Sequence, residues 1–95
     1  MVYIHARHEV EDYERWERHH EANAETRAAH GSLGTQVFRV DDDPTTLVLV
    51  QEVADDRLED LLTYYESDEF DALLENAGVI DMDATVADLV HRQDA

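Results

Sequence analysis

The sequence predicts an α+β domain with the element order β-α-β-β-α-β, in which a four-stranded antiparallel sheet carries the helices on one face. Three observations support this prediction. Four segments have the alternation or β-branched composition of strands, two longer segments have apolar residues at helical spacing, and turn-forming residues separate them. At 95 residues the chain fits one domain, residues 1–95, and it contains no internal repeat or low-complexity linker.

The first strand and the first helix are predicted from residues 2–30. The segment 2–8, VYIHARH, alternates Val, Ile and Ala with Tyr, His and Arg, which is the period-two pattern of a strand with two distinct faces. The segment from about Asp12 to His30 has helical spacing of its aromatic and small residues and contains no Gly or Pro. Gly31 follows in the position of a left-handed C-cap, so the helix is expected to end there.

The central hairpin and the second helical region follow. Segments 35–40 and 46–53 are β-branched and apolar, and DDDPT between them suits a hairpin turn. Asp55 or Asp56 is expected to cap the next helix, and Asp56 and Glu59 have the spacing of a capping box. Ser67 predicts a second cap, so we expect one helix that is kinked or broken near Glu66 and ends at Gly78. The apolar stripe of this region consists of Leu58, Leu61, Leu62, Tyr65, Phe70, Leu73, Leu74 and Ala77.

The last strand is predicted over residues 82–92, MDATVADLVHR, which alternates again. The complete order is the split-βαβ, ferredoxin-like arrangement. Because helices cover only one face of such a sheet, the other face is left to solvent or to a second copy of the chain. We therefore expect a homodimer that packs through the sheets, which also suits a chain that buries only about two-thirds of its unfolded surface and leaves a flat apolar face over.

Charge limits the partners of this protein. The chain has 24 Asp and Glu residues against seven basic residues, all of them Arg, and its formal net charge is −17 with a pI near 4.3. Such a surface repels nucleic acid phosphates and anionic membranes. The 43% hydrophobic content and clear periodicity argue against disorder. We therefore expect a halophilic protein, whose charges are screened at about 1 M salt, where the Debye length is about 3 Å.

The absence of cysteine and of long apolar segments further limits the class of protein. Without cysteine, neither disulfides nor thiolate metal sites are possible. No long apolar segment resembles a signal peptide core or a membrane span. We expect a cytoplasmic location.

Three segments carry a family resemblance. VEDYERW (10–16), TRAAHGSLGTQVFRVDDDP (26–44) and AGV (77–79) together resemble the antibiotic-biosynthesis-monooxygenase-like group of dimeric α+β barrels. The resemblance implies two ferredoxin-like subunits packed sheet against sheet, with a ligand cavity between sheet and helices. It also implies an enzyme without bound cofactor, similar to the oxygenases and cyclases that act on aromatic polyketides.

One face of the first helix carries the candidate site. At about 100° per residue, Tyr13, Trp16, His20, Ala24 and Arg27 fall within a sector of roughly 80°, and His19 lies off it. Burying His20 and Arg27 against the sheet without partners would cost several kcal/mol. They therefore either pair with carboxylates or backbone, with Arg27 capping helix carbonyls, or line a wet cavity.

In the cavity interpretation, each residue type has a chemical role. His20, with a pKa near 6.5, would move a proton and Arg27 would hold an enolate or carboxylate, so these two are the candidate catalytic residues. Tyr13 and Trp16 would stack on a planar aromatic ligand, and Tyr64 or Tyr65 would complete the wall. The expected reaction is proton abstraction from a phenolic substrate, followed by reaction with oxygen or ring closure.

Other functions stay open at the sequence level. A non-catalytic ligand-binding or stress-associated dimer is one alternative, and a haem-handling protein is another. No metal site is expected, because His5 and His8 point to opposite faces of a strand and His19 and His20 diverge on a helix. The acidic run at residues 41–43 is expected to be a hydrated hairpin tip.

Overall fold

The computed structural model describes residues 1–95 and confirms the predicted fold. All strand pairs of its four-stranded sheet are antiparallel, in the order β2-β3-β1-β4. The strands are β1 (Val2–Val10), β2 (Ser32–Val40), β3 (Asp43–Val53) and β4 (Val79–Asp88), and the helices are α1 (Tyr13–Ala22), α2 (Ala24–Ala29), α3 (Leu58–Tyr65) and α4 (Asp68–Asn76). None of these helices has the length and hydropathy that crossing a membrane requires.

The strand register separates the two faces of the sheet. On the helix side, Ile4 of β1 lies opposite Gln51 of β3 and Val86 of β4, and His8 lies opposite Leu47 and Met82. The buried side chains of β1 are thus Ile4, His8 and Val10, which alternate with exposed ones as the sequence predicted. The helix side of the sheet therefore carries both the core and the site described below.

The core is divided into two clusters. One joins Ile4 and Val53 to the second helical region, and the other joins Trp16 to β1 and β3. The members of the first are Ile4, Val53, Leu61, Tyr64 and Phe70, and those of the second are Val10, Trp16, Leu47, Leu49 and Ala77. Because the two clusters are separate, the region between them is not filled by a single continuous core.

The first helix is broken, whereas the sequence predicted one helix from Asp12 to His30. The break lies at Asn23, with φ −93° and ψ 2°. The Asn23 amide exchanges hydrogen bonds with the Tyr64 hydroxyl, at 3.0 and 3.2 Å, and so ties this point to α3. Because the helical phase is interrupted, Ala24 is exposed and does not continue the inward stripe, while Arg27 is buried.

The predicted cap of α3 is wrong, and the predicted cap of α4 is confirmed. Arg57 occupies the N-cap position of α3 without a side-chain capping bond, because Asp56 has φ 65° and belongs to the preceding turn. In contrast, the Ser67 hydroxyl accepts a hydrogen bond from the Phe70 amide at 3.2 Å. The break near Glu66 and the end of the helix at Gly78, with φ 81°, are also as predicted.

The strand boundaries differ from prediction at both ends of the sheet. β4 covers Val79–Asp88 and not residues 82–92, because its last partner on β1 is Val2, which pairs with Asp88. β2 and β3 each begin three residues before their predicted starts, and the hairpin turn consists of Asp41 and Asp42. Pro44 was expected in the turn but lies in β3, beside the irregular register between Arg39 and Val40.

Candidate functional site

A cavity of about 190 Å³ lies between the helices and the sheet. Thirteen of its 19 lining residues are hydrophobic, so most of its wall cannot hydrogen-bond water. Met82 and Val86 of the edge strand line it and are 39% and 43% exposed, which places the opening beside β4. The polar part of the wall comes from β1, α1, α2, β2 and β3. Its residues are His8, His19, His20, Arg27, Thr35 and Gln51.

The cavity is free of carboxylates although the protein is highly acidic. None of the 24 Asp and Glu residues lines it, and Arg27 is its one permanently charged side chain. The protein as a whole has a formal net charge of −17. An anionic group inside the cavity would therefore meet a cation at short range and no direct carboxylate neighbour.

His20 borders the cavity as the helical wheel predicted, but its pKa differs from expectation. Its Nε2 lies 3.0 Å from the Thr35 hydroxyl, and its ring stacks on Trp16 with centroids 4.6 Å apart. Burial, with smaller contributions from Arg27 and His8, lowers the pKa of His20 from 6.5 to about 4. His20 is thus neutral at pH 7, and the expected pKa near 6.5 is corrected.

Arg27 combines the two roles that the sequence left open. Its Nη1 donates to the His20 carbonyl oxygen at 2.8 Å, so the side chain caps the end of α1. It also lines the cavity while being 8% exposed. Burial lowers the pKa of Arg27, yet a guanidinium stays charged at neutral pH. The capping bond fixes the cation at the cavity wall.

Trp16 lines the cavity, but its ring faces are occupied by protein. Tyr13, one turn before it, stacks on Trp16 at 6.1 Å, and His20, one turn after it, stacks at 4.6 Å. Its Nε1–H donates to His8 Nδ1 at 3.2 Å. A ligand would touch the edge of this indole, so the expectation that Trp16 and Tyr13 stack on the ligand is corrected.

Tyr13 lies outside the cavity wall. Its hydroxyl donates to Glu17, and the Arg39 guanidinium lies 4.4 Å from the centre of its ring. These contacts hold Tyr13 against the outer side of Trp16. Tyr13 therefore supports the position of Trp16 and does not contact the cavity.

Of the two adjacent tyrosines, only Tyr65 lines the cavity. Its hydroxyl donates to Gln51 Oε1 at 2.8 Å, and burial raises its pKa. Tyr64 does not face the cavity: its ring stacks on His30 with centroids 4.6 Å apart, and its hydroxyl is hydrogen-bonded to the Asn23 amide. The sequence had offered either tyrosine for the wall; the structure places Tyr65 in it and Tyr64 outside it.

His8 is one of the polar cavity residues that sequence reasoning missed; the others are His19, Thr35 and Gln51. It is 6% exposed, and burial lowers its pKa from 6.5 to about 4. The signal was present, because His8 has the same strand parity as Ile4 and therefore belongs to the helix side. His19 was also placed off the site, yet it borders the cavity, with its Nδ1 2.9 Å from the Arg15 carbonyl oxygen.

Histidine positions do not assemble a metal centre. His5 is exposed on the opposite face of β1 from buried His8, as the spacing predicted. No group of three or more His, Asp and Glu side chains lies close enough to hold a metal ion.

Comparison with solved structures identifies the fold of this chain. A cofactor-independent oxygenase, SnoaB from Streptomyces nogalater, is 15% identical with a TM-score of 0.71, over 98% of this chain and 94% of that one. A candidate antibiotic biosynthesis monooxygenase from Caulobacter crescentus is 16% identical with a TM-score of 0.71, over 95% and 90%. A dimeric ferredoxin-like protein from an uncultured marine organism is 9% identical with a TM-score of 0.62, over 99% and 91%.

These similarities confirm the predicted resemblance at the level of the fold. The chain has the fold of antibiotic-biosynthesis-monooxygenase-like proteins over nearly its whole length. No protein-family model and no curated protein sequence matches it. Function must therefore be argued from the cavity itself.

Proposed function

We propose that this protein is a small enzyme that binds a planar phenolic molecule and oxygenates or cyclises it without a bound cofactor. The observation that carries the proposal is the apolar cavity with no carboxylate in its wall, where Arg27 lies beside neutral His20. The likeness to a cofactor-independent oxygenase supports the same class of reaction. A cytoplasmic location belongs to this proposal.

His20 is proposed to remove the proton. One tautomer of His20 carries its proton on Nε2 and donates it to Thr35 Oγ1. In this tautomer the Nδ1 atom of His20 is free to accept a proton from the ligand. A pKa of about 4 makes free His20 a weak base. The anion that forms would lie beside the imidazolium and raise its pKa, while the Arg27 guanidinium stabilises the same negative charge.

The oxygenation step needs no external reductant. The carbanionic form of the substrate transfers electrons to O₂, and the carbon–oxygen bond that forms gives a peroxide anion. The His20 imidazolium returns its proton to this anion, which becomes a hydroperoxide. When the carbon bears a second hydrogen, loss of water converts the hydroperoxide to a carbonyl group. In this step neutral His20 takes the second carbon-bound proton, the oxygen–oxygen bond breaks, and the same proton passes to the departing hydroxide. One oxygen atom thus enters the product and the other leaves as water.

A substrate panel in multimolar KCl tests this function. We expect oxygen uptake with a phenol or quinol that the cavity binds, and a loss of at least about 100-fold in His20→Ala, which is the range of general acid–base catalysis. His5→Ala, on the opposite face of β1, is the matched control and should keep full activity. Full activity in His20→Ala would overturn the role of His20.

Saturable binding without oxygen uptake or cyclisation would favour the non-catalytic ligand-binding dimer. A cavity of about 190 Å³ does not favour the haem-handling alternative, because pockets for much smaller, drug-sized ligands already measure about 300 Å³ or more.

We also propose that the protein forms a homodimer through the open face of the sheet. Phe38 is 52% exposed there, and Val48 lies directly opposite it on β3. A dimeric ferredoxin-like protein of similar fold supports dimerisation. Phe38→Glu would place a charge in the interface of an already acidic chain, so we expect it to yield monomers in light scattering at multimolar KCl. The control is Leu33→Glu, at a residue that is 62% exposed, and it should remain dimeric. Dimers in both variants would contradict the proposed interface.

A further inference from the structure

The hydrogen bond between Trp16 and His8 fixes the tautomer of His8. An indole N–H can only donate, so His8 Nδ1, which receives it at 3.2 Å, carries no proton. Neutral His8 therefore carries its proton on Nε2. Because its lone pair on Nδ1 is engaged, His8 is a hydrogen-bond donor toward its surroundings and not a base.

The Nε2 atom of His8 has no hydrogen-bond partner in the protein. Trp16 is the one hydrogen-bond partner of the His8 side chain. Every fully buried side-chain nitrogen and oxygen of the protein has a partner, so the unpaired Nε2 atom must border accessible volume. His8 is 6% exposed and lines the cavity, which identifies that volume as the cavity.

We propose that His8 binds the oxygen of a single-ring hydroxyaromatic ligand by donating to it from Nε2–H. The inference rests on the proposed function in one respect, that the cavity takes an aromatic molecule. It adds the residue that orients this molecule and the number of rings that fit. His8 is then a binding residue, distinct from the proton acceptor His20.

Cavity size limits the ligand to one ring. An apolar protein cavity of about 150 Å³ holds benzene, whereas pockets for drug-sized molecules begin at about 300 Å³. At about 190 Å³ this cavity accommodates one six-membered ring with a short substituent, and a fused tricyclic system exceeds it.

The distribution of the lining residues orients the ring. His8, His20 and Arg27 come from β1, α1 and α2, and the lining from α3 and α4 is apolar apart from the Tyr65 hydroxyl. The apolar residues there are Leu62, Phe70, Leu73, Leu74 and, just after α4, Ala77. The oxygen-bearing edge therefore points to His8, and a methyl or other short alkyl substituent points to α3 and α4. Alkylated phenols and hydroquinones have this chemistry.

Calorimetric binding of p-cresol and toluene tests the role of His8 without any turnover. The two probes differ by one hydroxyl group, so we expect wild-type protein in multimolar KCl to bind p-cresol about tenfold more tightly. In His8→Phe this advantage should disappear while toluene binding persists, and in the control His5→Phe it should remain. An advantage that survives in His8→Phe overturns the proposal, as does tighter binding of 1-naphthol or a tricyclic phenol than of p-cresol.

A second measurement needs no substitution. Nitrogen-15 NMR of the histidine rings should show the His8 proton on Nε2, and the Nε2 resonance should shift when p-cresol binds. A proton on Nδ1, or an unchanged Nε2 signal at saturation, overturns the assignment. If p-cresol binding depends on His8 as expected but no phenol or quinol is oxygenated or cyclised, the catalytic function is refuted and this inference stands.

Discussion

At the scale of single residues, Trp16 organises the site through both its nitrogen and its ring. Its N–H engages His8 and its face supports His20, so one buried indole positions two histidines that come from different elements. Both imidazoles are neutral at pH 7, since burial lowers the pKa of each to about 4. The site thus holds uncharged donors and acceptors beside a single cation, Arg27.

These lowered pKa values predict a pH dependence of stability. In the unfolded chain a histidine has a pKa of about 6.5, so between that pH and about 4 the unfolded state binds protons that folded His8 and His20 do not. The free energy of unfolding should therefore fall as the pH is lowered through this range. The slope from each histidine approaches about 1.4 kcal/mol per pH unit.

Variants separate this effect from the acidic surface, whose repulsion weakens as the pH falls. His20→Phe keeps a ring against Trp16 and removes one titrating group, so its unfolding free energy should decline less steeply than that of wild type in denaturant titrations at fixed KCl. His5→Phe, on the exposed face, should retain the wild-type slope. Equal slopes in wild type and His20→Phe would show that His20 is not held neutral.

Residue patterns predicted part of this site and missed the remainder for identifiable reasons. Helical spacing found Trp16 and His20 because one face of α1 must meet the sheet. Arg27 is also buried, but it lies on α2 after the break at Asn23, so the assumed continuous helix is not the reason. His8 was recoverable from strand parity alone. The stacking of Tyr13 and His20 on Trp16, which prevents a ligand from stacking there, depends on side-chain rotamers and could not be predicted from spacing.

At the scale of elements, long-range contacts decided where helices and strands end. The break between α1 and α2 involves Asn23 and Tyr64, which are 41 residues apart, so no local pattern specified it. β4 ends where its partner strand β1 begins, at the pair Val2 and Asp88. The Ser67 cap was predictable, because the bond to the Phe70 amide is local.

Gly31 offers a direct test of how the first helical region joins the sheet. It has φ 111°, and a Cβ atom there would lie 2.4 Å from Arg57 Cβ. Gly31→Ala should therefore add steric overlap to backbone strain and lower the free energy of unfolding by roughly 3 kcal/mol or more.

Gly34→Ala is the matched control for this substitution. Its φ is 148°, but nothing lies within 4 Å of the added Cβ atom, so only the cost of the backbone conformation, about 1 kcal/mol, applies. Denaturant titration of both variants at the same KCl concentration measures the difference. Equal losses of stability would contradict the close packing of Gly31 on Arg57.

At the scale of the whole molecule, the acidic surface and the carboxylate-free cavity are in marked contrast. Two ion pairs between arginine and carboxylate are present, Arg15 with Glu11 and Arg57 with Asp60, so only two of the 24 acidic residues are paired with a permanent cation. Most carboxylates therefore face solvent or other carboxylates and repel one another at low salt. Excluding them from the cavity preserves the local attraction of Arg27 for an anion despite this unfavourable overall field.

The net charge of −17 predicts that stability depends strongly on salt. Raising KCl from dilute buffer to about 1 M shortens the Debye length from about 30 Å or more to about 3 Å and removes most of the repulsion between exposed carboxylates. The melting temperature should therefore rise steeply over this range. Sucrose, which favours the compact state without screening charge, should produce a smaller rise at equal water activity. An unchanged melting temperature in KCl, or equal effects of KCl and sucrose, would contradict a halophilic protein and indicate that the carboxylates are tolerated without screening.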